Sequence, residues 1–372
     1  MSAAARTAYD ARLSLGEYRG MGRYLRALIA GREQELLGLC ATGEYDPTLR
    51  LVADGFSVYP LWEQVSIPRL LRRYRPDVFL APYNTAPVAI PSGTALVVVV
   101  HDLIFMERLP ASRSAYQNAG RLYRRLIVPH AVRRADLILT VSNFTAQELA
   151  SRFAIAPQRI RVIPVSLAED WYDHPPMERE DYIFAVAGEA PSKNLSRALR
   201  AFALLRQHLE HRELRLKVAG VKAAFQQGFQ DEARLLGIDT AVEFLPYIGE
   251  DEMKDLYQRA AVFFMPSLAE GFGIPVLEAM ASGVPVVCSN RSSLPEVGGD
   301  AALYVNPTSV EHMAEFLHQT LRDSALRERM AERGLVQARR FHPEAVRSKI
   351  QAFWGELAQA AEPARRVEFV PC

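Results

Sequence analysis

Two glutamates eight positions apart, Glu270 and Glu278, bracket the run EGFGIPVLE inside the longer segment FFMPSLAEGFGIPVLEAMASGVPVV. An apolar strand there runs into a Gly-containing loop and then a helix, with Pro275 in its first turn and Gly283 past its end. Loops of this strand-to-helix kind bind ligands. The amides of Phe272, Gly273 and Ile274 and the positive helix end attract pyrophosphate or hexose oxygens, while two carboxylates accept hydrogen bonds from hydroxyls. Glu278 sits among Val276, Leu277, Ala279 and Met280, where the sequence offers no evident partner for a capping or salt-bridge role.

A second constellation is AGEAPSKNL, from Ala187 to Leu195, which follows one strand and opens a helix. It is a phosphate-binding geometry running from Gly188 through Ser192, with Lys193 as its cation; a lysine at a helix start is otherwise an ordinary surface residue. His101 ends the apolar run Ala95–Val100, where a side chain would project into an interdomain cleft, although a histidine after an apolar strand also serves as a satisfied core residue. The eight histidines show no ligand spacing, so no metal site is expected. Gly16, Gly20 and Gly22 fall between a strand at Thr7–Leu13 and a helix at Met21–Ala30. Leu25 stands where the third Gly of G-x-G-x-x-G belongs, which argues against a nicotinamide enzyme. Ser142 or Asn143 caps a helix reaching Phe153, and Tyr247, in LPYIG, precedes another.

The elements that must position these groups alternate along the chain. Strands are predicted at Val78–Ala81, Ala95–Val100, Leu137–Val141 and Arg159–Pro164. Others are predicted at Tyr182–Gly188, Arg215–Ala219, Val242–Leu245, Ala261–Pro266 and Pro285–Ser289, with amphipathic helices between them and one long charged helix over Val310–Arg340. This is the βαβ pattern of parallel sheets covered by helices. The 372 residues suffice for two such domains. Asp170–Asp181, with Trp171, His174, Pro175 and Pro176, reads as a linker, and Ala361–Cys372 as a loosely held tail. Cys40, Cys288 and Cys372 form no CxxC pair, and no leader or membrane-spanning run is found, so a cytoplasmic protein is expected. Net charge is +1 but uneven: 21 Arg, no Lys and 13 acidic residues in positions 1–165 leave the first part about +8 and the remainder about −7. Arginine clusters at Arg69–Arg75 and Arg121–Arg134 suit a solvated helix surface, an anionic membrane on the inner face of the plasma membrane, or a pyrophosphate-linked acceptor. Nucleic acid is disfavoured, since no aromatic platform accompanies the basic residues.

The Glu270/Glu278 pair and its EGFGIPVLEAMASGVPVV context resemble the Glu-x7-Glu motif of retaining glycosyltransferases of the GT-B fold, and the surrounding residues resemble family GT4. The resemblance extends over most of the chain and is weakest between Gly31 and Arg75. It implies an α/β chain of GT-B type, two Rossmann-like β/α/β domains facing across a cleft. The expected division is an acceptor-binding domain at 1–168, a linker at 169–181, a nucleotide-sugar-binding domain at 182–345, and a C-terminal helix and tail at 346–372 that packs back on the first domain. The resemblance implies that Glu270 contacts the donor sugar, Glu278 the ribose hydroxyls and Lys193 the leaving pyrophosphate. It implies that His101 stabilises charge near the anomeric carbon, that Gly22 belongs to a Gly-rich loop over the donor phosphate or acceptor, and that Tyr247 lies against the base. Where the family carries Arg-Lys, this chain has Ser192-Lys193, leaving one cation where two are usual. The activity implied is hexose transfer with retention, mannose from GDP-mannose, to a glycan or polyprenyl-linked oligosaccharide of a lipopolysaccharide or exopolysaccharide, with no cofactor and no essential metal. A UDP-hexose donor, a nucleotide-sugar epimerase and an inactive nucleotide-sugar-binding protein are the alternatives.

Overall fold

The computed structural model describes residues 6–16, 20–112, 114–173 and 177–360; the tail Ala361–Cys372 and the linker residues His174, Pro175 and Pro176 lie outside them. The chain divides into two compact units, one of 1–106, 120–166 and 346–372, the other of 107–119 and 167–345.

In chain order the first unit's elements are β1 (Thr7–Asp10), α1 (Gly20–Ile29), β2 (Leu37–Cys40), β3 (Leu51–Ala53), α2 (Tyr59–Leu61), α3 (Ile67–Tyr74), β4 (Val78–Ala81), β5 (Ala95–Val100), α4 (Ala115–Arg134, of which 115–119 fall in the second unit), β6 (Leu137–Thr140), α5 (Asn143–Phe153) and β7 (Ile160–Val162). Its seven strands are all parallel, in the order β3-β2-β1-β4-β5-β6-β7. The runs VFLA and ALVVVV lack polar alternation because helices cover both faces of such a sheet. Phe79, Leu96, Val98 and Ile138 pack with Trp62, Leu70 and Val128 as its core. Ser142 caps α5, its hydroxyl accepting the Thr145 amide at 3.1 Å.

The second unit continues with β8 (Glu180–Val186), α6 (Leu195–Leu205), β9 (Arg215–Ala219), α7 (Ala223–Leu235), β10 (Val242–Phe244), α8 (Glu250–Arg259), β11 (Ala260–Met265), α9 (Ile274–Ala281), β12 (Val286–Ser289), α10 (Leu294–Gly298), β13 (Ala302–Val305), α11 (Val310–Arg322) and α12 (Ser324–Arg339). Six parallel strands run in the order β10-β9-β8-β11-β12-β13. In both sheets the order reverses beside the first strand, at β1/β4 and at β8/β11, the doubly wound arrangement whose ligand crevice opens at the carboxyl ends of those strands. Helix α13 (Pro343–Ala360) ends the described chain; its Trp354 Nε1 donates to Leu28 O at 2.8 Å, and Glu356 pairs with Arg161 at 2.6 Å.

Several elements depart from the sequence pattern. The strand expected over Thr7–Leu13 stops at Asp10, and Arg12–Ser14 turns into a short 3-10 helix. The single long helix breaks at Asp323, whose carboxylate accepts the Leu326 amide at 2.8 Å and restarts the chain as α12. Strands β2, β3 and β13 and helices α2, α3, α7 and α10 are not among the elements located from the sequence pattern. The first two are short runs whose meaning comes only from pairing beside β1. Trp171, read as linker, is instead buried in the second unit, edge-on to Tyr257 at 5.9 Å and donating to Glu250 Oε1 at 2.8 Å.

Candidate functional site

The loops that leave β8 and β11 meet because those strands are neighbours. After β8 the chain makes a 3-10 turn at Pro191–Lys193, and Asn194 takes a left-handed conformation, φ 58°, before α6 begins. Asn194 is the pin of this region. Its Nδ2 donates to Pro266 O at 2.9 Å and to Pro307 O at 2.7 Å, tying the loops after β8, β11 and β13, while its Oδ1 accepts from Arg197 at 2.9 Å. The Leu268 amide donates to Ser192 O at 2.7 Å, a second tie between the same two loops. Ser192, buried, therefore contributes through its backbone carbonyl. A Cβ placed on Gly188 would stand 4.0 Å from Lys193 Cγ. Gly220, after β9, must be glycine: its φ is +88°, and a Cβ there would stand 2.7 Å from Ala187 O.

These ties bring Lys193 Nζ to 2.8 Å from Glu270 Oε1, with the two side chains 26% and 10% exposed. A cation and a carboxylate 77 residues apart in sequence thus form one partly buried pair at the switch point of the second sheet. The Glu270 loop is held from the β12 side: the Glu270 amide donates to Ser292 Oγ at 2.9 Å, and Ser293 Oγ donates to Phe272 O at 2.8 Å and Glu270 O at 3.1 Å. Gly273 enters α9 at φ +104°, where a Cβ would meet Leu294 at 2.6 Å. Phe272 is buried edge-on to Phe341 at 5.5 Å, and α9, with the partial positive charge of a helix N-terminus, opens at Ile274, shortly after Glu270 in the chain.

Glu278 lies one turn into α9, nine-tenths buried, and does have a partner. The sequence expectation of a carboxylate without one is corrected by Tyr257, on α8, whose hydroxyl donates to Glu278 Oε2 at 2.8 Å. Burial, then the Glu278 charge, raises the Tyr257 hydroxyl far above its ordinary range, so it stays a donor. Its ring is wedged between Phe184 at 4.9 Å and Phe263 at 5.2 Å. Tyr247 lies in the loop between β10 and α8, 72% exposed. A cavity of about 530 Å³ adjoins these loops, with Gly188, Asn194 and Ala269 in its wall together with the guanidinium side chains of Arg108, Arg197 and Arg291. That volume is in the range of small-molecule sites.

His101 and Gly22 belong to the first unit. Gly22 is buried in the first turn of α1. His101 follows β5; its amide donates to Asn84 Oδ1 at 2.6 Å, and its ring stands edge-on to Tyr24 at 5.2 Å. Nε2 lies 2.8 Å from Pro82 O, an acceptor only, so Nε2 carries the proton and Nδ1 keeps a lone pair. Burial lowers the ring's pKa to about 4, which makes it a neutral acceptor near pH 7. Beyond the sequence candidates, the end of β1 carries a polar cluster. Asp10 Oδ2 accepts from Trp62 Nε1 at 3.1 Å, burial pushes its pKa up to about 7, and Arg12 lies over the Tyr59 and Trp62 rings. Arg12 Nε and Nη1 are buried with no hydrogen-bond acceptor among the described residues. Buried Glu63 accepts from Tyr59 at 2.8 Å and also from Thr85 and Tyr123. No motif marks these residues, which come from the end of β1, from α2 and the turn after it, from the loop after β4 and from α4.

Residues 171–336 match the family model described as glycosyl transferases group 1, and residues 23–167 match the model described as glycosyltransferase family 4. The chain is 34% identical over 290 residues to the O-antigen chain mannosyltransferase B of Escherichia coli, covering 73% of this chain and 72% of that protein. It is 29% identical over 255 residues to the MMP alpha-(1->4)-mannosyltransferase of Mycolicibacterium hassiacum, covering 66% of this chain and 61% of that one. Among solved structures, Anabaena Alr3699/HepE in complex with UDP and glucose superposes with a TM-score of 0.72 at 15% identity, over 95% of this chain and 99% of that one, a likeness of fold. Two all-parallel doubly wound sheets, the paired glutamates after β11 and these matches converge: the chain belongs to the family 4 glycosyltransferases and is a glycosyltransferase of the GT-B class, with relatives named as mannosyltransferases.

Proposed function

We propose that the protein transfers mannose from GDP-mannose, with retention at the anomeric carbon, to a hydroxyl of a glycan or polyprenyl-linked oligosaccharide in cell-surface polysaccharide synthesis. The Lys193–Glu270 pair beside the N-terminus of α9 carries this reading, because it sets one cation and one hydroxyl acceptor at the place where a nucleotide sugar presents its diphosphate and hexose. On donor binding Lys193 turns from Glu270 to the diphosphate, and Glu270 accepts from a hexose hydroxyl. The amides opening α9 add fixed positive potential to the leaving group. Glu278, oriented by Tyr257, takes the ribose hydroxyls, and Tyr247 lies against the base. With Ser192 in the place of the family's arginine, the guanidinium groups at the cavity wall, Arg197 and Arg291, supply the second cation. In the first unit, neutral His101 presents Nδ1 as an acceptor for a sugar hydroxyl, and Arg12 and Asp10 bind the acceptor.

The names of the two relatives support mannose. A UDP-hexose donor is the second reading, supported by the fold neighbour bound to UDP and glucose. No cofactor or metal takes part in either. Thermal-shift measurements with a panel of GDP- and UDP-sugars decide between them, because a ligand bound only by the native state raises its melting temperature. GDP-mannose is expected to give the largest shift; a larger shift with a UDP-sugar overturns the mannose assignment, and isomerised donor formed without acceptor would indicate an epimerase. No helix among the described residues is long and apolar enough to cross a membrane, and contact with an anionic membrane through the first unit's arginines is part of the same proposal.

A further inference from the structure

We propose that Glu210, His211 and His318 form a site for a divalent transition-metal ion of the zinc class, separate from the sugar-transfer chemistry. Glu210 and His211 occupy the turn Leu209–His211 between α6 and β9, and His318 comes from α11. Strand β9 starts only four residues after His211, so the cluster lies at the amino-terminal edge of the second sheet, opposite the edge that carries Lys193 and Glu270.

The distances fit an ion. His211 Nε2 and His318 Nδ1 are 3.0 Å apart, His318 Nδ1 and Glu210 Oε1 3.4 Å, and His211 Nε2 and Glu210 Oε1 3.9 Å. A triangle with those edges has a circumscribed circle of radius about 2.0 Å, the length of a Zn–N or Zn–O bond, about 2.0–2.2 Å. An ion near its centre reaches all three atoms at once, and open positions remain for water. Without an ion the facing ring nitrogens share one proton, and the carboxylate is left to its contact with Arg322.

The surroundings are those of a ligand set. His208 stacks on the His318 ring at 4.1 Å and 16°, which restrains its orientation. The half-exposed Glu210 side chain provides the entry path. Arg322 Nε, 3.7 Å from the same Glu210 oxygen, competes with the metal and lowers its affinity without blocking either histidine. Two imidazoles and a carboxylate suit zinc, nickel or copper better than calcium or magnesium. The bound ion would clamp the turn after α6 to α11, so its effect falls on stability rather than on transfer.

The test uses the full chain, stripped with EDTA, desalted and titrated with zinc by calorimetry. One saturable equivalent is expected, with a rise in melting temperature of roughly 5–10 °C at about 100 times Kd. Co²⁺ in its place should give tetrahedral visible absorption bands. His211→Gln and His318→Gln should abolish binding, and Glu210→Gln should weaken it at least tenfold; should the buried His211 variant fail to fold, the other two carry the test. No saturable binding by the wild-type chain, or equal binding by His318→Gln, overturns the site.

Discussion

Replacing Glu270 by Gln separates the two halves of the proposed site. The substitution removes a charge and keeps the shape, so the effect reads the Lys193 pair rather than packing. That pair is 2.8 Å long, but its side chains are 26% and 10% exposed, and solvent screening holds its net worth to about 1 kcal/mol. In the free protein Glu270 competes with phosphate for the Lys193 ammonium. Freed from it, Lys193 should bind GDP about five-fold more tightly, the factor that about 1 kcal/mol represents. Turnover moves the other way. Glu270 is held in place by Ser292 and Ser293, and losing one preorganised polar group at a reacting centre costs about 2.7–4 kcal/mol, a fall in kcat of about 10² to 10³. Calorimetry with GDP and a product assay with GDP-mannose and acceptor read the two effects separately. Lys193→Gln should lose both affinity and turnover. A Glu270→Gln protein that transfers at the wild-type rate, or that loses GDP binding while keeping its urea midpoint, refutes the reasoning.

Tyr257→Phe removes the buried donor to Glu278 and should cost about 2 kcal/mol, read as a lower urea midpoint at unchanged m-value; a change below about 0.5 kcal/mol would mean that Glu278 does not depend on it. His101 is held neutral, with a pKa of about 4 against about 6.5 when unfolded, so the unfolded chain takes up its proton first on acidification. Stability from this group is intact above about pH 6.5 and declines by about 3 kcal/mol as pH falls to 4, while Asp10, raised to about 7, acts in the opposite sense. The difference in melting temperature between wild type and His101→Gln should therefore change across pH 6.5 to 4.5; parallel profiles would contradict the buried neutral ring. Gly220→Ala forces a Cβ to 2.7 Å from Ala187 O at positive φ, and should destabilise the chain by about 3 kcal/mol in chemical unfolding. Native-like stability would show that the turn after β9 gives way easily.

Much of the fold was legible in the residues themselves. The runs VFLA and ALVVVV read as strands with the ends the structure shows, and EGFGIPVLE places Glu270 on a loop and Glu278 on a helix, since strand, turn and cap signals act over a few residues. The same local reach explains the misses. Nothing near Glu278 announces Tyr257, nothing near His101 announces Pro82 O or Asn84, and Asn194 reads as a helix start until its two carbonyl partners on other loops are seen. The histidines that converge at Glu210 come from positions 107 residues apart and carry no spacing signal.

From its sequence alone this chain declares a repeated strand-and-helix rhythm, and it declares which loops hold cations, carboxylates and helix-opening amides. Which of those loops touch was decided in three dimensions. Parallel pairing sets β8 against β11, and that adjacency is what closes Lys193 onto Glu270. The reason is one of range: propensity and periodicity are properties of neighbouring residues, whereas strand order is chosen by the burial of whole faces, a quantity that exists only once the distant parts of the chain are packed.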